Sequence, residues 1–307
     1  MLVTRRERRL CRLLWTASIA LVTVLASGCA VSHTTVVKPS EAPAPPKTAT
    51  KQELISLYNN QAEAVTSLNA AVKMTLTAGS AYTGVIKQYH EVNGFILAQR
   101  PASIRVIGQA PVVGTNIFDM ESDGQTFAIY IPSQGKFITG PASLERPSAK
   151  PIENLRPQHL TGAVFCEPIP SQTIVLFEEE TDTITRYYVL TVVQPSSPGA
   201  EVSVSSDWEV SRKIWFNRAD LSLARIETYD PGGKLGSDVR YGGWDTFAGV
   251  KYPRRISLAR PANDYQLQIE ITRMTPNEPV SADRFVLQQP PGSELVRVGE
   301  DSKETKP

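Results

Sequence analysis

Cysteine is scarce in this 307-residue chain, which holds only Cys11, Cys29 and Cys166. Three thiols so far apart give no disulfide framework, so stability has to come from a buried core. Histidine is as scarce, with His33, His90 and His159 alone. None has a second ligand at metal-binding spacing, so no metal site and no cofactor are expected; His90 and His159 read as surface or structural residues. Excess charge is missing too, the formal balance being +1. A chain so nearly neutral lacks the basic face that nucleic acid requires, and no nucleic-acid partner is expected. No Gly-x-Ser-x-Gly elbow and no phosphate-binding glycine loop occurs, so no enzyme and no catalytic residue are expected. Gly232-Gly233 and Gly242-Gly243 read as turn glycines. Glu178-Glu179-Glu180 reads as a solvated strand end. Cys166 has no base beside it in the pattern and reads as a structural thiol rather than a nucleophile.

What is present begins with a leader. Arg5, Arg6, Arg8, Arg9 and Arg12 form a basic region offset by Glu7, and the run from Leu13 to Leu25 is uncharged and mostly apolar. A bilayer-spanning helix takes about 20 such residues, so this run has signal-peptide length rather than anchor length. Leu25-Ala26-Ser27-Gly28-Cys29 follows and resembles the lipobox of bacterial lipoproteins. The resemblance implies cleavage before Cys29 and acylation of that residue, with membrane lipid as the partner of the acyl chains. Residues 1–28 are thus read as a lipoprotein signal peptide, and 29–49 as the lipidated cysteine and a Pro-rich tether carrying Pro39, Pro43, Pro45 and Pro46. Ala30, where some bacteria carry a retention aspartate, points by resemblance to the periplasmic face of the outer membrane.

Thr50 to Leu68 carries apolar residues at helical spacing, with Thr50 and Glu53 placed as a capping box. From Asn69 the period becomes two. Asn93-Gly94 and Asp123-Gly124 read as two-residue hairpin turns, and Gly135–Gly140 as a further short strand. Six prolines interrupt residues 141–172, where 153–165 reads as a short helical insert. Strands resume at Thr173–Glu179, Thr183–Val193, Trp208–Asn217, Leu223–Tyr229, Ser237–Asp245, Arg254–Arg260 and Tyr265–Arg273. In the last, Tyr265, Leu267, Ile269 and Ile271 alternate with Gln266, Gln268, Glu270 and Thr272, the signature of an antiparallel sheet with one covered face. Ala282–Leu287 reads as a short closing element, with a loose polar tail beyond Gln288.

About a dozen successive strands do not stay flat; such a sheet curls or closes. The fold class expected is α+β, mainly antiparallel: a curled sheet or incomplete barrel. The N-terminal helix and the insert cover its concave apolar face. The order of elements, together with Gly94-Phe95-Ile96-Leu97-Ala98-Gln99-Arg100-Pro101, Ile104-Arg105-Val106, Phe118 to Gly124 and Asp283-Arg284-Phe285-Val286-Leu287, resembles the LolA/LolB-like lipoprotein carriers and receptors over residues 50–290, leaving 291–307 as a polar tail. The resemblance implies an incomplete barrel with a helical lid. It also implies binding of lipoprotein acyl chains or lipid, and a role in outer-membrane lipoprotein localisation.

By strand phase the cavity candidates are Ile104, Val106, Phe118, Met120, Phe127, Ile129, Leu267, Ile269 and Ile271. Periodicity does not separate an open interior from one filled by side chains. A packed interior would make the chain a non-enzymatic envelope scaffold with a protein partner. Pro111, Val112 and Val113, between two expected strands, are membrane-contact candidates by the same resemblance; an ordinary buried turn is the competing expectation.

Overall fold

The computed structural model describes residues 45–79, 86–144, 154–196 and 207–299. The leader, Cys29 and the tether through residue 44 lie outside the described residues. Helix α1 spans Lys51–Glu63 and starts at a complete capping box: Glu53 N–H donates to Thr50 Oγ1, and Thr50 N–H donates to Glu53 Oε2. Leu54, Tyr58 and Ala62, four residues apart, form its buried stripe. The helix stops five residues short of the expected Leu68. Asn277 Oδ1 accepts from Thr66 N–H at 2.8 Å and draws the chain into a strand at Ser67.

The strands follow in chain order: β1 (Ser67–Ala78), β2 (Lys87–Gln88), β3 (Val92–Gln99), β4 (Ser103–Gln109), β5 (Asn116–Ser122), β6 (Thr126–Ile131) and β7 (Lys136–Pro141). Helix α2 (Pro157–Val164) separates these from β8 (Ile174–Asp182), β9 (Thr185–Pro195), β10 (Trp208–Asn217), β11 (Leu223–Asp230), β12 (Lys234–Phe247), β13 (Val250–Arg260), β14 (Tyr265–Pro276) and β15 (Glu294–Arg297). All belong to one 15-stranded sheet of order β15-β7-β6-β5-β4-β3-β1-β14-β13-β12-β11-β10-β9-β8, with β2 on β1. Two meanders are therefore joined at the middle by the first and the second-last strands, Leu68 facing Pro276 and Ala78 facing Tyr265. The sheet does not close, and β8 and β15 remain as edges. The expected class, a mainly antiparallel curled sheet covered by two helices, is the one observed.

Three local expectations are corrected. Asn93-Gly94 is not a turn: β3 runs through it, Gly94 opposite Gly108 and Val72. A Cβ on Gly94 would collide with Met74 and Ile107, so this glycine serves close packing within a strand. Gly242-Gly243 lies inside β12 rather than at its end. Gly242 faces Arg255 and Trp244 faces Pro253 in unbroken register, and Gly243 between them takes φ 62° inside the strand. The tail is not loose throughout, because β15 pairs in parallel with β7, Glu294 facing Lys136. Asp123-Gly124 does turn the β5–β6 hairpin. Asp123 Oδ1 accepts from the Gln125 and Thr126 amides, and Gly124 takes φ 91°.

The concave face holds two apolar clusters. One seats α2, through Leu160, Ala163 and Val164, against β1, β3–β6, β13 and β14. The other seats α1, through Leu54 and Tyr58, against β8–β11, where Leu190, Ile214, Phe216 and Leu223 are buried. Each large side chain so buried contributes about 1.5–3 kcal/mol, and the two helices hold the curl shut chiefly through such contacts.

Candidate functional site: the covered concave face

Between the two apolar clusters runs a polar seam. From the last turn of α2 the chain crosses the concave face as a strap, residues 163–169, with no strand partner among the described residues. Its carbonyls are held by side chains instead. Tyr241 Oη donates to Ala163 O at 3.1 Å and Tyr252 Oη to Val164 O at 2.7 Å. Arg100 Nη2 donates to Cys166 O at 2.8 Å, Arg212 Nη1 to Glu167 O at 2.7 Å, and Asn59 Nδ2 to Ile169 O at 3.0 Å. Asn59 Oδ1 also accepts from Ile169 N–H at 2.8 Å. Five carbonyls are thus fixed by five side chains from β12, β13, the end of β3, β10 and α1.

Arg100 ties the two helices together. Its Nε donates to Val65 O at 3.1 Å, and its Nη2 donates to Ala62 O, in the last turn of α1, as well as to Cys166 O, just past α2, both at 2.8 Å. Unpaired carbonyls and the negative dipole end of each helix favour a cation there. The guanidinium lies 4.9 Å from the Phe165 ring centroid. Sequence reading missed this residue, although Ile96, Ala98 and Arg100 share one strand phase, which marks Arg100 as a cation aimed at the apolar face.

Burial pushes the Cys166 thiol up to about 11, and it donates weakly to Tyr241 Oη at 3.9 Å. No base stands beside it among the described residues. Burial, with repulsion from Arg260 and Arg156, pushes His159 down to about 3. Its Nδ1 accepts from Tyr265 Oη at 2.8 Å, which pins the α2 segment to β14. Among the described residues no group of three or more His, Cys, Asp or Glu is placed to hold a metal ion.

Ile104, Val106, Met120, Phe127, Ile129, Leu267, Ile269 and Ile271 are all buried in the larger cluster, and Phe118 packs at its margin with its ring over Gly108. They share one apolar cluster with Leu160, Ala163 and Val164 of α2. The enclosed space beside the strap, lined by Val65, Arg100, Val164, Phe165 and Tyr252 among others, is ≈ 10 Å³. That is room for one water at most. A larger crevice, ≈ 340 Å³, opens between α1 and the turns β10–β11 and β12–β13. Leu57, Leu221, Trp244 and Val250 line it, with Phe216 as the floor.

Pro111, Val112 and Val113 form the tip of the β4–β5 hairpin. Val112 is 96% exposed and Val113 70%. The tip is not a buried turn; it is an apolar projection, with exposed Ile117 beside it. Cys29 lies outside the described residues. No helix of the described residues is long and apolar enough to cross a membrane.

No family model and no curated protein matches the chain. Solved structures similar to it include a LolA superfamily protein from Nitrosomonas europaea, 16% identical at TM-score 0.47, the match covering 78% of this chain and 99% of that one. A DUF1329 family protein from Desulfovibrio piger is 13% identical at TM-score 0.47, over 76% of this chain and 94% of its own. A domain described as an outer membrane lipoprotein-sorting protein, from Vibrio parahaemolyticus, is 10% identical at TM-score 0.43, over 76% and 94%.

Proposed function

We propose that the chain is a cell-envelope protein, anchored through acylated Cys29, whose concave face takes up the acyl chains of a lipoprotein or lipid when its two-helix cover lifts. The observation that carries the reading is the strap. An apolar face is closed by a segment held through side-chain bonds to five carbonyls rather than by a backbone ladder. Such a closure comes off without unpairing any strand. Lifting it exposes the apolar row from Ile104 to Ile271, and burial of acyl surface at about 25 cal/mol per Å² is the driving force for uptake. The seated cover is then the empty state, in which the space beside the strap is ≈ 10 Å³. The crevice lined by Leu57 and Trp244 is the first apolar surface an incoming chain would meet. The exposed Val112-Val113 tip is assigned to contact with the bilayer, and the periplasmic face of the outer membrane is the site of action. The chemistry is binding alone and uses no catalytic group.

A second reading is favoured by the same filled interior: a packed envelope scaffold that binds a protein and no lipid. Native mass spectrometry of the Cys29→Ser chain, purified from the soluble fraction without detergent, tests the two. Retained species of acyl-chain mass support the carrier. A lipid-empty protein that also fails to take up a fluorescent fatty acid leaves the scaffold.

A further inference from the structure

We propose that β8 is a strand-addition site for an extended basic segment of a partner protein. The strand ends the sheet, and no described residue pairs with its outer side. It is nine residues long, whereas the opposite edge, β15, has four. Edges are usually blunted by shortness, proline, bulges or charge; β8 has only the last, in Glu178, Glu179, Glu180 and Asp182. Lys51 Nζ donates to Val175 O at 3.3 Å, so that carbonyl points away from β9. In an antiparallel ladder the N–H and C=O of one residue point to the same side, and the sides alternate. Phe177, Glu179 and Thr181 therefore present both groups outward. Lys51 caps one end of the row, and the open part begins at Phe177.

The side chains fit the same use. Of the thirteen large apolar side chains exposed among the described residues, four fall here: Ile174, Leu176, Phe177 and, in the turn that follows, Ile184. Beside them stand Glu178, Glu179, Glu180 and Asp182, of which, among the described residues, only Glu179 is in an ion pair, with Arg218 at 2.6 Å. Across the ladder Glu178 faces Val189 and Glu180 faces Tyr187, so no cation neutralises them from β9. A second copy of β8 would bring another acidic run onto the same ribbon. A strand alternating Lys or Arg with apolar residues would complete both the hydrogen bonds and the charge. Main-chain bonds then supply affinity and the acidic row supplies selectivity, as in other strand-addition complexes.

The test uses the full chain and a capped nine-residue peptide of alternating valine and lysine. Its controls are the valine–glutamate analogue and a lysine peptide N-methylated at alternate residues. The lysine peptide is expected to slow hydrogen exchange at Phe177, Glu179 and Thr181 at least tenfold, and both controls to leave exchange unchanged. Glu178→Lys with Glu180→Lys should weaken binding at least tenfold. Phe177→Pro, which removes an outward N–H and no ladder bond, should abolish binding while the circular dichroism spectrum stays as it is. Equal binding of the glutamate peptide, or no protection by the lysine peptide, overturns the proposal. So does sedimentation showing a dimer that Phe177→Pro dissolves, because the occupant is then a second copy.

Discussion

Replacing Arg100 with methionine tests the cover directly. The substitution removes three hydrogen bonds from a charged donor to Val65 O, Ala62 O and Cys166 O. Bonds to charged groups contribute about 1.5–3 kcal/mol each when removed singly. The three share one desolvated guanidinium, and water reaches the freed carbonyls once the cover moves, so the net loss is placed at about 3 kcal/mol. Methionine retains the length of the side chain and a sulfur contact with the Phe165 ring. The sheet should therefore keep its packing while the opening equilibrium of the cover rises about 10²-fold. Hydrogen exchange read peptide by peptide separates the two effects. Residues 157–169 should exchange about 10²-fold faster, while the central pair β1 and β14 changes little. A fluorescent fatty acid should bind more readily to the variant than to the parent. Unchanged exchange at 157–169 would show that Arg100 does not hold the cover. An equal rise in β1 and β14 would show that it holds the whole fold, and the openable-cover argument would then collapse.

Three further outcomes are expected. Cys29→Ser should move the protein from the membrane pellet to the soluble fraction, read by fractionation, with no change in melting temperature. Val112→Glu with Val113→Glu alters two exposed side chains, so the cost in stability should stay within about 0.5 kcal/mol. Vesicle flotation of the purified protein should fall several-fold; unchanged flotation removes the tip from the membrane contact. His159 is held neutral, its folded value of about 3 lying below the ordinary 6.5. The unfolded chain therefore binds a proton first as pH drops, and stability present above pH 6.5 is lost on the way down toward pH 3. The loss should be about 2 kcal/mol by pH 5, measured by urea denaturation at pH 7 and pH 5, and His159→Gln should flatten that slope.

Much of the fold was legible because sheet periodicity is a local signal. Tyr265 to Thr272 alternates without exception, and in β14 Tyr265, Leu267, Ile269 and Ile271 are indeed the buried set. Trp208–Asn217 was read with the boundaries that β10 has. Asn93-Gly94 misled because the same dipeptide serves two purposes. A hairpin needs glycine for its positive φ, whereas β3 needs it for want of a side chain where Met74 and Ile107 press in. The tail misled because β15 is stabilised by β7, more than 150 positions earlier, and not by any pattern of its own. The site was less legible than the fold. The apolar row could be listed by phase, but the strap could not be foreseen, since Arg100, Asn59, Tyr241, Tyr252 and Arg212 are scattered over more than 190 positions.

The amino-acid sequence alone determined the change from helical to two-residue period and the apolar face that forces a many-stranded sheet to curl. Each follows from side chains within a few residues of one another. Only the tertiary structure decided that apolar side chains fill the covered concave face, that one guanidinium joins the ends of both helices, and that the outer side of β8 has no partner among the described residues. Those are matters of which distant surfaces meet, and a carbonyl or a strand edge carries no mark in the sequence to say what will satisfy it.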